Sequence, residues 1–414
     1  MQHSNVYLQR YAYPEEYLKK ETVPDNLGMV VVIPAYNERN ILPALKSLDE
    51  CKLPERNVEV IVVVNQPVDC SPKVDNINQQ TIQQVIFFNK QKLNSRINYQ
   101  AIHARDLPIK NSGVGMARKI GMDEAVRRLL RSGNNHGVII NFDADCTCSN
   151  SYLRSIEKSF NENNINGASI YFEHPLHTLE HQKLIEGIIQ YELHLRYFVH
   201  ALRYAGFPYA FHTVGSSMAV RSDIYQQQGG MNKRKAGEDF YFLQKIFPLG
   251  NYMEIIDTVV MPSMRVSDRV PFGTGRAMTE WANRQNHNLL TYSPEIFKDM
   301  KMVFTDVDLY FTLSNSAIKQ HYNALPLSFR NFITENEFLN KISICQSKSA
   351  KSETFRQKFF TWMNGLKVLR YIHHSRDNHY PNLSVFESGS WAIKELFKAD
   401  DILNSAEEVL LFFR

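Results

Sequence analysis

Apolar positions fall along this chain in two patterns. The first is a set of short continuous runs at residues 29–33, 58–64, 85–88 and 138–142, ending at Pro34, Asn65, Asn89 and Asp143. Unbroken Val/Ile-rich runs of this length suit strands buried on both faces, as in a parallel sheet. The second is helical spacing between some of those runs. Ile41, Leu45 and Leu48 share a face, with Asn40 placed to cap; Met116, Ile120, Met122, Val126 and Leu129 form another; Leu153, Ile156 and Phe160 form a third behind a cap at Ser149 or Asn150. Strands alternating with helices predict an α/β sheet with right-handed crossovers. In such sheets ligands sit outside the carboxyl ends of the strands. Three polar clusters, Tyr36-Asn37-Glu38, Asn65-Gln66 and Asp143-Ala144-Asp145, follow apolar runs directly.

The remaining pattern divides the chain. Residues 1–28 are polar and Tyr-rich and read as a lead-in. Residues 29–275 hold the sheet, with an inserted amphipathic helix near 180–205 and a further strand within 213–220. Residues 276–414 read as mainly helical, with Phe359, Phe360, Trp362, Leu366, Val368 and Leu369 able to pack. The apolar stretch 184–202 contains Glu186, Glu192, His194, Arg196 and His200, so no transmembrane segment is expected. The N-terminus lacks a basic flank followed by an apolar run, which argues against a signal peptide. Five cysteines, an odd number with no C-x-x-C, indicate neither a disulfide framework nor a thiolate zinc site. The expected location is cytoplasmic. A net charge of only +4 over 414 residues argues against nucleic acid as a partner. The pattern is compatible with a homo-oligomer.

Two acidic clusters carry the candidate chemistry. Asp143 and Asp145 leave an apolar run separated by one small residue and point to the same side if extended. Hard oxygen ligands of this kind favour Mg²⁺ or Mn²⁺, with coordination positions left for phosphate oxygens. Alone, such a pair also reads as a turn with a helix-capping Asp. Glu238 and Asp239 follow Gly237 at the start of an apolar run. They read either as partners of a helix dipole or as a base acting on a hydroxyl.

Three separated motifs make these clusters specific in combination. Val31-Val32-Ile33-Pro34-Ala35-Tyr36-Asn37-Glu38, Asp143-Ala144-Asp145 and Gly237-Glu238-Asp239, with Gly113-Val114-Gly115-Met116-Ala117-Arg118 between the first two, resemble the family 2 glycosyltransferases of the GT-A fold. The resemblance spans about residues 29–275. It implies a nucleotide-binding, mixed but mostly parallel sheet flanked by helices, followed here by a helical C-terminal appendage. It also implies a nucleotide-diphosphate-sugar donor and an acceptor hydroxyl on a saccharide or small compound. Pro34, Ala35, Tyr36 and Glu38 match the segment that holds base and ribose. Asn65 stands where the family commonly has an acid near the base, which leaves the base unassigned. Gly113, Gly115 and Arg118 match the loop and helix start beside the nucleotide-sugar. Asp143 corresponds to a ribose or metal contact, Asp145 to a metal ligand, Asp239 to the catalytic base, and Glu238 to a residue that binds or orients the acceptor. Direct displacement would invert the anomeric centre.

A third signal lies downstream, where Arg265 and Arg269 precede Gly273 and Gly275. Guanidinium groups match phosphate oxygens, so this stretch reads as a loop closing on the donor diphosphate, or as a solvated basic loop. Some related enzymes add a metal-binding His after the Glu-Asp motif; the next one here is the distant His287, which leaves that ligand unassigned. His174, His177 and His181 read as solvated or acceptor-side residues rather than a metal site, and Cys146 and Cys148 as packing. Arg196, Tyr197, Tyr204, Phe207 and Tyr209 offer either an acceptor surface or, more commonly for such a stripe, core. Two rival functions remain. A sugar-phosphate nucleotidyltransferase would carry a glycine-rich basic loop where this chain has Pro34-Ala35-Tyr36. A non-catalytic nucleotide-sugar-binding protein would not need Asp143, Asp145 and Asp239 together.

Overall fold

The structure is a computed structural model that describes residues 5–92, 94–176, 182–267, 273–284, 287–399 and 403–414. It comprises two compact units, Met1–His177 with Thr213–Arg276 and Thr178–His212 with Ala277–Arg414.

The first unit is built on an eight-stranded sheet. Its strands are β1 (Leu27–Ala35), β2 (Asn57–Pro67), β3 (Ile97–Leu107), β4 (Val138–Asn141), β5 (Thr147–Cys148), β6 (Gly167–Phe172), β7 (Met218–Arg221) and β8 (Tyr252–Met261), in the order β3-β2-β1-β4-β7-β6-β8-β5. The half β3-β2-β1-β4 is parallel, β7 runs antiparallel to both β4 and β6, and β6 and β8 are parallel. This is the mixed, mostly parallel sheet that the resemblance implies. Every residue of β1 is buried, as its unbroken apolar run requires. Pro34 is tolerated in this central strand because β4 pairs only as far as Val32 with Asn141, so no ladder donor is needed from it on that side.

One expected strand is wrong. Residues 85–88 lie inside a helix, Pro72–Gln91, whose inner face is Ile77, Asn78, Thr81 and Val85, while Ile86 and Phe87 are exposed. A four-residue apolar run does not distinguish strand from helix, and here the buried spacing is helical. The strand that takes its place, β3, ends the sheet and mixes buried positions with half-exposed ones such as Asn98 and Gln100 and the exposed Arg105. An edge strand has one open side, so it carries no continuous apolar run to reveal it. The strand expected within 213–220 is confined to β7. Asn40 does not cap the helix Leu42–Asp49, whose N-cap is Ile41, and Ser151 rather than Ser149 or Asn150 is N-cap of the helix Tyr152–Asn163.

The helix Val114–Arg131, here α1, packs against β1 and β2 and is buried almost along its length, including its charged residues. Asp123 and Arg128 among them are satisfied in part by the N-terminal segment. Asp123 accepts from the hydroxyls of Tyr7 (2.5 Å) and Tyr225 (2.7 Å) and from the Tyr13 N–H (2.7 Å), and pairs with Lys119 at 2.9 Å. Arg128 donates to both oxygens of Glu59 on β2 (2.6 and 2.8 Å) and to the carbonyls of Glu21 and Thr22. Arg128 and Glu59 are completely buried. The lead-in of the sequence is therefore a strap whose backbone completes the hydrogen bonding of an unusually polar buried helix.

The second unit is mainly helical. The helix Gln182–Tyr204 packs with Pro294–Thr305, Val385–Ala392 and Ala406–Phe413. Arg196 pairs with the fully buried Glu192 at 2.8 Å, and Arg414 pairs with the same carboxylate at 2.7 Å. Tyr197 and Phe207 are buried, with Tyr197 edge-on to Phe297 at 5.8 Å, and Tyr204 lies under the Lys301 ammonium at 4.0 Å. The aromatic stripe of this segment is thus mostly core. No helix among the described residues is long and apolar enough to cross a membrane.

Candidate active site

The carboxyl ends of β1, β2 and β4 each deliver polar side chains to one place. After β1 the chain turns at Asn37, which has a left-handed backbone (φ 51°), and its N–H donates to the Asn78 side chain at 2.9 Å. Asn78 donates in turn to Gln66 (3.0 Å), and Thr81 donates to the Glu38 carbonyl (2.6 Å). The helix Pro72–Gln91 therefore fixes the loop that holds Tyr36 and Glu38. At the end of β2, Asn65 donates to the carbonyl of Ser112, immediately before the start of α1. Asn65 is buried and acts here as a tie between strand and helix start, a role compatible with its amide but needing no acid.

The helix Glu238–Ile246, here α2, begins with Glu238 and Asp239. The loop before it lies across the start of α1. A Cβ on Gly115 would collide with the Arg234 carbonyl and lie 3.0 Å from the Glu238 Cβ, so only glycine permits this approach. Asn232 donates to the Glu238 carbonyl at 2.8 Å, and the Arg234 guanidinium lies 3.7 Å above the Tyr241 ring.

Arg118, in the first turns of α1, connects these parts. It pairs with Glu238 through Nη1 and with Asp143 through Nη2 at 2.6 Å. Its side chain is 4% exposed, and Glu238 is equally buried. Asp143, Asp145, Glu238 and Asp239 come from distant parts of the chain, and the first, third and fourth all act electrostatically on Arg118. The sequence places Arg118 beside the donor; the structure makes it the internal cation of an acidic cluster. Sequence reasoning missed Gly215, whose Cβ, if present, would lie 2.6–2.8 Å from the Arg118 guanidinium. An isolated glycine before two serines carries no signal of such a contact.

Asp239 is the perturbed acid of the group. Burial, then the neighbouring Glu238 charge, pushes its carboxyl up from 3.8 to about 6, against the lowering effect of Arg118 and of the Phe240 N–H, which donates to it at 2.8 Å. A carboxyl titrating there is mostly ionised at neutral pH yet basic enough to accept a proton.

Asp143, Asp145 and Cys146 bring one ligand atom each within 4.8 Å of one another. Burial, with both aspartates beside it, raises the Cys146 thiol well above its usual range. The pair of half-exposed carboxylate oxygens fits Mg²⁺ or Mn²⁺. Arg265 approaches the same pair. Its Nε lies 2.9 Å from Asp145 Oδ2, and its Nη1 lies 3.0 Å from Glu38 Oε1, with Nη2 on the other Glu38 oxygen. Arg269 lies outside the described residues, as do Asp268, His177 and His181. His174 is buried with its Nε2 3.2 Å from the Thr274 hydroxyl. His287 belongs to the second unit.

Residues 30–227 match the model of Glycosyl transferase family 2. This match identifies a family 2 glycosyltransferase domain within the chain. No curated protein matches it in sequence. Among solved structures it is similar to S. aureus TarS 1-349 in complex with UDP-GlcNAc, at 14% identity over 81% of this chain and 92% of that one, with a TM-score of 0.42. It is also similar to the mannosyltransferase PcManGT from Pyrobaculum calidifontis in complex with GDP-Man and Mn2+, at 12% identity over 81% and 92%, with a TM-score of 0.37.

Proposed function

We propose that this chain moves a sugar from a nucleotide-diphosphate-sugar onto an acceptor hydroxyl, with Asp239 as general base and inversion at the anomeric carbon. The observation that carries the reading is the placement of Asp239. It follows Glu238, which shares the Arg118 guanidinium with Asp143, and its carboxyl is pushed up to about 6 by burial and by that neighbour. Perturbed carboxyls next to a second acid and a buried cation are typical of proton-transfer sites.

In this reading Pro34, Ala35, Tyr36, Glu38 and Asn65 line the nucleotide end of the site, with Gly115 and Arg118 at the adjoining helix start. Asp143 and Asp145 would hold Mn²⁺ or Mg²⁺, which supplies charge neutralisation for the departing diphosphate. Arg265 adds a second positive charge beside them. Glu238 orients the acceptor, and Asp239 takes the proton from its hydroxyl as the oxygen attacks. Arg118 keeps Asp143 and Glu238 in place without leaving the protein interior.

The test is turnover against a panel of nucleotide-sugars with Mn²⁺, reading nucleoside diphosphate release with and without candidate acceptors. Release of pyrophosphate instead would refute a glycosyl transfer and point to nucleotidyl transfer. An Asp239→Asn variant with near-normal transfer would remove Asp239 from the base role.

A further inference from the structure

All five cysteines are free, and two of them face each other. Cys51 lies just past the helix Leu42–Asp49, and Cys148 ends the short strand β5. Their Sγ atoms are 3.9 Å apart although 97 positions separate them in the chain. The two backbones are already joined beside the sulfurs, because the Lys52 N–H donates to the Asn150 carbonyl at 2.7 Å. A disulfide needs about 2.05 Å between sulfurs, so the two side chains must share an approach of about 1.9 Å.

The two sulfurs differ chemically. The Cys148 thiol holds the Cys51 thiol below its ordinary range against burial, helped by the backbone N–H groups of Leu153 and Tyr152. Those groups open the helix Tyr152–Asn163, and a helix start favours a thiolate. Cys148 is pushed the other way, by the same contact with Cys51 and by burial. Cys51 is therefore the better nucleophile of the two. Cys51 is 5% exposed and Cys148 7%, so water-sized molecules touch both residues; Cys146, at 1%, is sealed.

We propose that Cys51 and Cys148 form a reversible dithiol–disulfide pair, oxidised by small hydroperoxides, which ties the helix after the Glu38 loop to the segment after Asp145. The Cys51 thiolate attacks one peroxide oxygen and breaks the O–O bond. A sulfenic acid forms at Cys51, and the departing hydroxide takes the proton lost from that thiol and leaves as water. The Cys148 sulfur then attacks the sulfenic sulfur. The S–S bond forms, and the sulfenic hydroxyl leaves with the Cys148 proton as a second water. Two thiols have lost two electrons and two protons, and one hydrogen peroxide has become two waters. A dithiol reductant reverses the reaction by exchange. The pair stands apart from the assignment of Asp143 and Asp145 as metal ligands.

The test exposes the full, folded chain to hydrogen peroxide, removes the oxidant with catalase, alkylates the remaining thiols in denaturant and maps peptides without reductant. The five free thiols should fall by two, a peptide containing Cys51 should be linked to one containing Cys148, and dithiothreitol should restore all five. Cys148→Ser should leave Cys51 as a sulfenic acid that dimedone captures, and Cys51→Ser should leave Cys148 unoxidised. The reverse labelling would overturn the assignment of Cys51 as nucleophile. The wild-type map decides the pair without any variant. Oxidation confined to Cys70 or Cys345, or a link between Cys51 and Cys148 that forms only after the chain is unfolded, overturns the proposal.

Discussion

Arg118 Nη2 donates to Asp143 Oδ1 across 2.6 Å, so a side chain from the first turns of a buried helix meets one just beyond the end of a central strand. That single contact links the nucleotide half of the sheet to the acidic cluster, because the other arm of the same guanidinium holds Glu238. Several expectations depend on it.

Breaking the pair from one side should be costly. Arg118→Met leaves Glu238 as a buried uncompensated charge, a situation that typically costs about 3–5 kcal/mol. Adding Glu238→Gln should recover a large share of that loss. Chemical denaturation of the wild type and the single and double variants measures both, and an additive result would show that the two side chains do not interact.

Gly215→Ala places a methyl 2.6–2.8 Å from a guanidinium that has no room to retreat. The expected outcome is a destabilisation of about 1–3 kcal/mol, as for overpacking, with transfer activity reduced because Arg118 is pushed off Asp143. Thermal melting and kcat/KM measured together check it. An unaffected enzyme would mean that Arg118 has freedom not visible here.

Asp239 sets a pH limb. As a base it must be ionised, so kcat/KM should fall about tenfold per pH unit below about 6 and level off above it. Asp239→Asn should lower turnover by about 10²–10⁴-fold and abolish the limb, with donor affinity preserved. Donor affinity is read by isothermal titration and turnover by product release.

The same shift has a stability consequence of the opposite sign. A carboxyl whose folded value is raised above its ordinary 3.8 contributes stability at low pH, and that contribution is lost as pH rises through about 6. Asp239→Asn should therefore melt at a higher temperature than the wild type at pH 7, with the gap shrinking towards pH 4. A gap independent of pH would place the shift elsewhere.

Glu59 and Arg128 provide a contrast remote from the chemistry. Glu59→Gln should destabilise by about 3–5 kcal/mol through the buried arginine it leaves behind, while kcat/KM of the folded fraction stays near the wild-type value. Denaturation midpoints and initial rates at low temperature separate the two.

The sequence by itself determined the central sheet and the identity of the acids. Strands β1, β2 and β4 are buried on both faces, and a strand with no wet side must be written as a continuous apolar run. Residues that follow such runs reach the sheet's carboxyl edge for the same geometric reason, so Glu38, Asn65, Asp143 and Asp145 were legible before any fold was known. Burial on one side only erased that signal at β3, and a helix crossing an apolar stretch mimicked it at residues 85–88. The tertiary structure alone decided which charges meet. Ion pairs such as Arg118 with Glu238, Arg265 with Glu38 and Arg128 with Glu59 join residues separated by 69 to 227 positions. Nothing local encodes a partner at that distance, because the energy of a buried pair arises only once both groups have left water together. The same reason turned an apparently solvated lead-in into a strap: its carbonyls acquire their acceptor role only when the charged face of α1 is buried against them.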